Sequence, residues 1–222
     1  MNVFDMIGPV MIGPSSSHTA GAVRLGRVAN KVMGGEMPKS VEIILSGSFA
    51  RTYKGHGTDR ALLAGIMGFH SRDEEIRDAL NIAKKRGIEY KFVCQDIPGA
   101  HPNTARIHFV TQGDEKGMVE GASIGGGNIR VDLVNDMRVD FTGENNTILI
   151  MHEDVPGVIA DVTNLMRLVY PELNIANFRL SRKSRGGDAL MTLEIEGLPP
   201  EGLIEQLTHL KHVSRAMLIR AI

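Results

Sequence analysis

From residue 146 onward, apolar residues recur in an order that few architectures accept. Residues 147–151 read as an apolar strand. Asp154-Val155-Pro156-Gly157 then turns into a helix that places Val158, Ile159, Val162, Leu165, Met166 and Val169 at helical spacing. Segments 174–181 and 189–195 read as strands joined across 182–187. A second helix follows Pro199-Pro200 and carries Leu203, Ile204 and Leu207, and 213–219 closes as a strand. The order β-α-β-β-α-β predicts a four-stranded sheet with both helices on one face, a ferredoxin-like sandwich. The polar stretch Gly143-Glu144-Asn145-Asn146 sets this half apart, so two domains are expected, 1–144 and 146–222. A chain of 222 residues is long enough to give each its own core.

The first half mixes both periodicities, which makes the whole chain α+β. Residues 41–46 predict a strand, and 48–53 continue the sheet or form a loop. Lys54-Gly55-His56-Gly57 reads as a tight loop, with Thr58 or Asp59 capping a helix through Ala61, Leu62, Leu63 and Ile66. A helix is predicted over 73–86, ended by Gly87, and a strand over 90–94 with Cys94 in the core. His101-Pro102-Asn103-Thr104 is a polar turn before an alternating strand at 105–111. A hairpin turn at 113–117 leads through 118–123 to Ile124-Gly125-Gly126-Gly127. Segments 129–134 and 137–141 read as a hairpin across Asn135-Asp136.

One stretch carries the chemistry, Gly13-Pro14-Ser15-Ser16-Ser17-His18-Thr19-Ala20-Gly21. An apolar run at 6–12 leads into it, and a helical pattern with Val23, Leu25, Val28 and Val32 leads out. A helix start exposes free N–H groups and a partial positive charge, which suit a carboxylate or phosphate. Ser16, Ser17 and Thr19 add hydroxyl donors, and His18 a group that titrates near neutral pH. The same residues also suit a Ser-rich turn that only caps a helix. His56 is either a second site residue or a surface histidine. His101 and Asn103 either face the same pocket or bond their own turn.

Composition narrows the classes. A formal net charge of −1, with no Lys/Arg cluster interleaved with aromatics, gives no nucleic acid or anionic membrane as partner. No apolar run reaches membrane-spanning length, and Met1-Asn2-Val3-Phe4-Asp5 lacks a basic leader, so a cytoplasmic setting is expected. A single cysteine forms no internal disulfide, which agrees. The three glycines at 125–127 are not a dinucleotide fingerprint, because the G-x-G-x-x-G spacing and its helix are missing. His18, His56 and His101 contain no H-x-H or H-x-x-x-H pair, so no metal is assigned to this chain.

Gly13-Pro14-Ser15-Ser16-Ser17-His18-Thr19 is similar to the signature near the start of the β component of iron–sulfur-dependent L-serine dehydratases. Gly47-Ser48-Phe49-Ala50-Arg51-Thr52, Gly55-His56-Gly57-Thr58-Asp59, His101-Pro102-Asn103-Thr104 and Ser123-Ile124-Gly125-Gly126-Gly127 resemble the same family, in order. The resemblance implies an L-serine ammonia-lyase that forms pyruvate and ammonia. Ser16, Ser17, His18 and Thr19 are then the catalytic group. Ser15, His56, Thr58, His101 and Asn103 are then the substrate-binding group. It also implies that a 4Fe-4S cluster helps hydroxide leave. Such clusters need several thiolates, and this chain has Cys94 alone, so the cluster is expected on a cysteine-bearing catalytic α chain.

Asp154-Val155-Pro156-Gly157-Val158-Ile159 and Leu173-Asn174-Ile175-Ala176-Asn177 make the second half resemble an ACT domain. That resemblance implies self-association and an amino-acid effector, here L-serine, bound between copies through His152, Asp154, Gly157 and Asn174. Asp154 stands where serine-binding members have Asn; its charge suits an ammonium and repels a carboxylate. Three functions follow. The chain is a dehydratase β subunit that completes a site and senses serine, or an amino-acid-binding regulatory subunit with no residue in the chemistry. The third, a hydrolase using Ser17 and His18, is disfavoured, because adjacent side chains seldom face each other and no orienting acid is evident.

Overall fold

The computed structural model describes residues 11–221, so 6–10 of the leading apolar run lie outside the described residues. The chain divides into two compact units, Met1–Asn135 and Asp136–Ile222. Two separate sheets and their helices make it α+β, as the mixed periodicities predict.

In the first unit, strict alternation in β1 (Ser40–Leu45) buries Val41, Ile43 and Leu45 on one face. Strand β2 (Glu89–Cys94) pairs with it in parallel. Strands β3 (Thr104–Val110), β4 (Lys116–Gly125) and β5 (Asn128–Val134) follow antiparallel on its other side, giving the order β2-β1-β3-β4-β5. The buried face is covered by α1 (Ala22–Val32) and α3 (Thr58–Ile66), whose Val23, Leu25, Val28, Leu62, Leu63 and Ile66 are nearly fully buried. These helices meet backbone to backbone. A Cβ at Gly26 would lie 2.2 Å from the Leu62 carbonyl oxygen, and one at Gly65 would lie 2.1 Å from that of Val23.

Three local expectations differ from this structure. Residues 48–53 are neither sheet nor loop: α2 (Gly47–His56) runs through them and ends at Gly57, whose φ of 72° reverses the chain directly into α3. Glycine and hydroxyl residues hid this helix, since only Phe49 is buried along it and there is no apolar stripe to read. The predicted 73–86 helix begins as a 3₁₀ turn, Glu74–Asp78, before α4 (Ala79–Lys85). Cys94 is exposed rather than in the core, because β2 is an edge strand whose last residue faces outward.

Asn135 and Asp136 take φ of 50° and 64°, the left-handed pair expected between the strands of a two-residue turn. In the second unit, β6 (Met137–Phe141) receives hydrogen bonds from Arg179 to Asp140 and from Ser181 to the Arg138 carbonyl. The polar break at 143–146 lies inside this unit. After it come β7 (Asn146–Glu153), α5 (Val158–Val169), β8 (Ile175–Arg182), β9 (Asp188–Ile195), α6 (Leu203–Thr208) and β10 (Val213–Ile219). The sheet order is β10-β7-β9-β8, antiparallel throughout. Ile148, Ile150, Met191 and Leu193 meet Val158, Val162, Met166, Leu203 and Leu207 in one core. β9, flanked on both sides, is buried at every residue after Asp188.

Candidate functional site

The opening motif does not form a simple cap. Ser17–Gly21 is a π-helical turn that runs straight into α1, and Ser16 makes no side-chain cap bond. The wider turn lets His18 and Thr19 project into the unit. Gly21 sits so close to Ser123 of β4 that a Cβ there would overlap the Ser123 hydroxyl. This end of the sheet also holds Ser46 after β1, Thr104 at the start of β3 and the glycine turn after β4. Arg24 of α1 fastens that turn by donating to the Gly127 carbonyl at 2.7 Å.

His18 is the centre of the cluster. It is 8% exposed. Ser15 Oγ lies 3.3 Å from its Nδ1, Thr52 Oγ1 of α2 lies 3.1 Å from its Nε2, and the Phe49 ring meets its edge at 5.2 Å. The His56 ring stands at 4.6 Å. Burial, with a smaller push from His56, holds the His18 imidazole below its usual value of 6.5, so it is uncharged at neutral pH.

A cleft of about 320 Å³ opens beside this group, lined by Gly13, Pro14, Thr19, His56, Arg60 and Arg77 among others. Arg60 enters no ion pair or side-chain hydrogen bond among the described residues, while Arg77 pairs with exposed Glu74. The hydroxyls of Ser16 and Ser17 are half-buried and have no partner among the described residues. Thr19 Oγ1 is buried without a partner and faces Gly13.

Of the expected site residues, Thr19 and His56 line the cleft, and Thr58, His101 and Asn103 do not. Thr58 is fully buried, its hydroxyl unpartnered, and neither it nor Asp59 caps α3 from outside. Gly57 holds the cap position, and Asp59, whose carboxyl burial pushes up, accepts the Arg60 N–H at 2.8 Å from within the first turn. The 101–103 turn holds the backbone of Phe49, whose ring packs on His18. The Phe49 N–H donates to the Pro102 carbonyl, and Gly47, at φ 57°, lies too close to Pro102 for any side chain. His101 Nδ1 accepts the Asn103 N–H at 3.1 Å, and Asn103 Oδ1 is buried and unpaired. The bond within 101–103 is the local-turn arrangement, and neither His101 nor Asn103 lines the cleft.

Sequence reasoning missed Arg60 and Thr52. Thr52 belongs to a quoted motif, but only its place on a helix turns it toward His18. Arg60 carried one signal, a lone cation directly after the Gly57-Thr58-Asp59 corner.

In the second unit, Asp154 is already engaged. Its Oδ2 accepts Arg182 at 2.9 Å and the Gly186 N–H at 3.0 Å, which together hold its carboxyl below the usual range. His152 is buried, donates Nδ1–H to the Glu153 carbonyl at 2.6 Å and leaves Nε2 without a partner. Gly157, at φ 101°, opens α5. Asn174 donates to Glu196 at 2.8 Å beyond the far end of β9, opposite the end where Glu153 pairs with Asp188. One copy of the chain therefore does not bring Asn174 to Asp154.

A buried imidazole with a lowered pKa, beside an open cleft whose Arg60 is unpaired among the described residues, is an arrangement chemically suited to a small anion and to proton transfer. The comparisons narrow that class. Residues 2–133 match the family described as serine dehydratase beta chain, and the chain belongs to that family. It is 44% identical over 214 residues to the probable L-serine dehydratase, beta chain, of Bacillus subtilis (strain 168), covering 96% of this chain and 94% of that one. It is 37% identical to the L-serine dehydratase, beta chain, of Peptoniphilus asaccharolyticus, covering 96% of this chain and 97% of that one. A more distant likeness, 26% over 200 residues, joins 89% of this chain to 37% of D-3-phosphoglycerate dehydrogenase from Bacillus subtilis (strain 168). No helix among the described residues is long and apolar enough to cross a membrane.

Proposed function

We propose that this chain is the β subunit of a cytoplasmic L-serine dehydratase, turning L-serine into pyruvate and ammonia together with a separate cysteine-bearing α chain. The near full-length similarity to two L-serine dehydratase beta chains carries the reading, and the uncharged His18 gives it a chemical basis. Removing water from serine requires a base for the α-proton and a Lewis acid for the departing hydroxide. His18 suits the first task. Ser16, Ser17 and Arg60 suit the substrate carboxylate, with His56 lining the cleft, Ser15 against His18, and His101 and Asn103 beside the Pro102 carbonyl that holds Phe49. A 4Fe-4S cluster is the Lewis acid of this reading, and this chain does not fit one: Cys94 is its only thiol and lies exposed on an edge strand, bonded to the Ala50 carbonyl. We therefore place the cluster on the α chain. The purified chain alone should be colourless and inert toward serine, and active when co-purified with its partner. Stoichiometric iron and sulfide in the lone chain would overturn this assignment.

The second unit supports an ACT-domain reading through its element order and its sheet order, β10-β7-β9-β8, that of a ferredoxin-like sandwich. In this reading it self-associates and senses L-serine through His152, Asp154, Gly157 and Asn174. One observation favours the regulatory alternative, with no residue of this chain in the chemistry: the likeness to D-3-phosphoglycerate dehydrogenase spans most of this chain, under a name that denotes another reaction. Kinetics of His18→Ala and Ser17→Ala in the reconstituted enzyme decide between the two. A catalytic role predicts a loss of about ten- to a hundredfold in kcat/KM with the subunits still associated. A purely regulatory or capping role predicts a lowered melting temperature and near-normal constants.

A further inference from the structure

His18 has two ring nitrogens, and the hydrogen bonds around Thr52 bear on which one carries the proton. Thr52 lies within α2, and its hydroxyl does two things at once. It donates its one proton back to the Ser48 carbonyl, four residues earlier, at 2.8 Å. The Ser48 oxygen can only accept, so that proton is committed. The same Oγ1 stands 3.1 Å from His18 Nε2. With its proton used, Oγ1 can only accept there, so Nε2 bears the hydrogen. Nδ1 is left bare and faces Ser15 Oγ at 3.3 Å, whose oxygen in turn accepts the His18 backbone N–H at 3.4 Å.

We propose that Thr52 is a positioning residue that fixes His18 as the Nε2–H tautomer and so reserves Nδ1, on the Ser15 side, as the nitrogen that takes a proton. The idea rests on the reading of His18 as the proton-transfer group. When Nδ1 gains a proton, the ring becomes an imidazolium with both nitrogens protonated. The Nε2–H bond to Thr52 persists through that change, because the Ser48 carbonyl keeps the Thr52 lone pair turned inward. No rotation of the ring or of Thr52 is needed, so the base is pre-organised at no cost during the step. Thr52 itself touches no substrate in this account. It acts through His18.

The test uses the full chain with ¹⁵N-labelled histidine, reading ring tautomers from long-range ¹⁵N–¹H correlations and assigning His18 by its loss in His18→Gln. Wild type and Thr52→Ser should show Nε2–H, since Ser keeps a hydroxyl that can bond back along the helix. Thr52→Val, which keeps the shape and removes the acceptor, should lose that preference. In the enzyme reconstituted with its α chain, Thr52→Val should lower kcat roughly tenfold or more with little change in KM, and Thr52→Ser should restore most of it. A wild-type spectrum showing Nδ1–H overturns the proposal without any variant. So does a folded Thr52→Val that keeps both the Nε2–H tautomer and the wild-type kcat. If instead His18→Gln turns over serine normally, the proton-transfer reading falls, while the tautomer spectra still decide what Thr52 does.

Discussion

The contact between α1 and α3 gives the sharpest quantitative test, because glycine to alanine should destabilise in these two helices and stabilise in α2. At Gly26 a methyl group would stand 2.2 Å from the Leu62 carbonyl oxygen, and at Gly65 one would stand 2.1 Å from that of Val23. Both are more than 1 Å inside ordinary contact, and the atoms they meet are backbone, so no side-chain rotation relieves them. Alanine in a helix interior is favoured over glycine by about 1 kcal/mol. Forcing an extra methyl into a filled core costs about 1–3 kcal/mol, occasionally more. Two helix backbones must separate here, which puts the cost at the upper end. Gly26→Ala and Gly65→Ala should each destabilise the first unit by about 2 kcal/mol after the propensity gain. Gly55→Ala is the internal control. Gly55 is helical and exposed, and a methyl there meets nothing within 4 Å, so it should stabilise by about 0.5–1 kcal/mol. The two units need not unfold together, so urea melts of the full chain should be read by hydrogen exchange at α1 and α3 amides. Gly26→Ala and Gly65→Ala at or above wild-type protection would mean that the helices do not meet through their glycines.

Acid should weaken the first unit through His18. The unfolded chain takes the proton near pH 6.5 and the buried ring only at lower pH, so stability falls as pH drops below about 6.5 and levels off below the folded pKa; His18→Gln should flatten that part of the profile, and an unchanged slope between pH 7 and 5 would refute it. The fragment 136–222 should fold alone and self-associate on its own core, and a monomer at high concentration in sedimentation would count against the pairing. Asp154→Ala frees Arg182 and the Gly186 N–H, so it should blunt any serine response of the assembled enzyme while basal turnover stays near wild type; equal loss of both would move Asp154 out of the effector class.

Strands were read well from the sequence because alternation in β1, β3 and β10 reports burial directly, and β10 begins and ends where its pattern does. Helix α2 was not legible. Phe49 is its one buried residue and the Thr52 hydroxyl bonds back to the Ser48 carbonyl, and neither leaves a periodic apolar signal. The motif at 13–21 was found, but its working geometry was not. The π-helical turn changes which way each residue faces, so Ser15 rather than Ser17 meets His18. Thr52, on another helix, was beyond any spacing argument, and Thr58 gave no hint that it would be sealed inside. Cys94 was misplaced because a short apolar strand does not announce whether it lies at a sheet's centre or edge.

Asp154 and Asn174 lie toward opposite ends of β9, with the run from Asp188 to Ile195 between them. At ~3.3 Å per residue that run measures about 23 Å, several times the span of a free amino acid. A serine molecule that needs both residues can find them only where two copies meet. Sensing then becomes a reaction of third order, two chains and a ligand, and its midpoint moves with the amount of protein present. If the chain senses serine in this way, a cell making more of it would lower the serine concentration at the midpoint without altering a single contact.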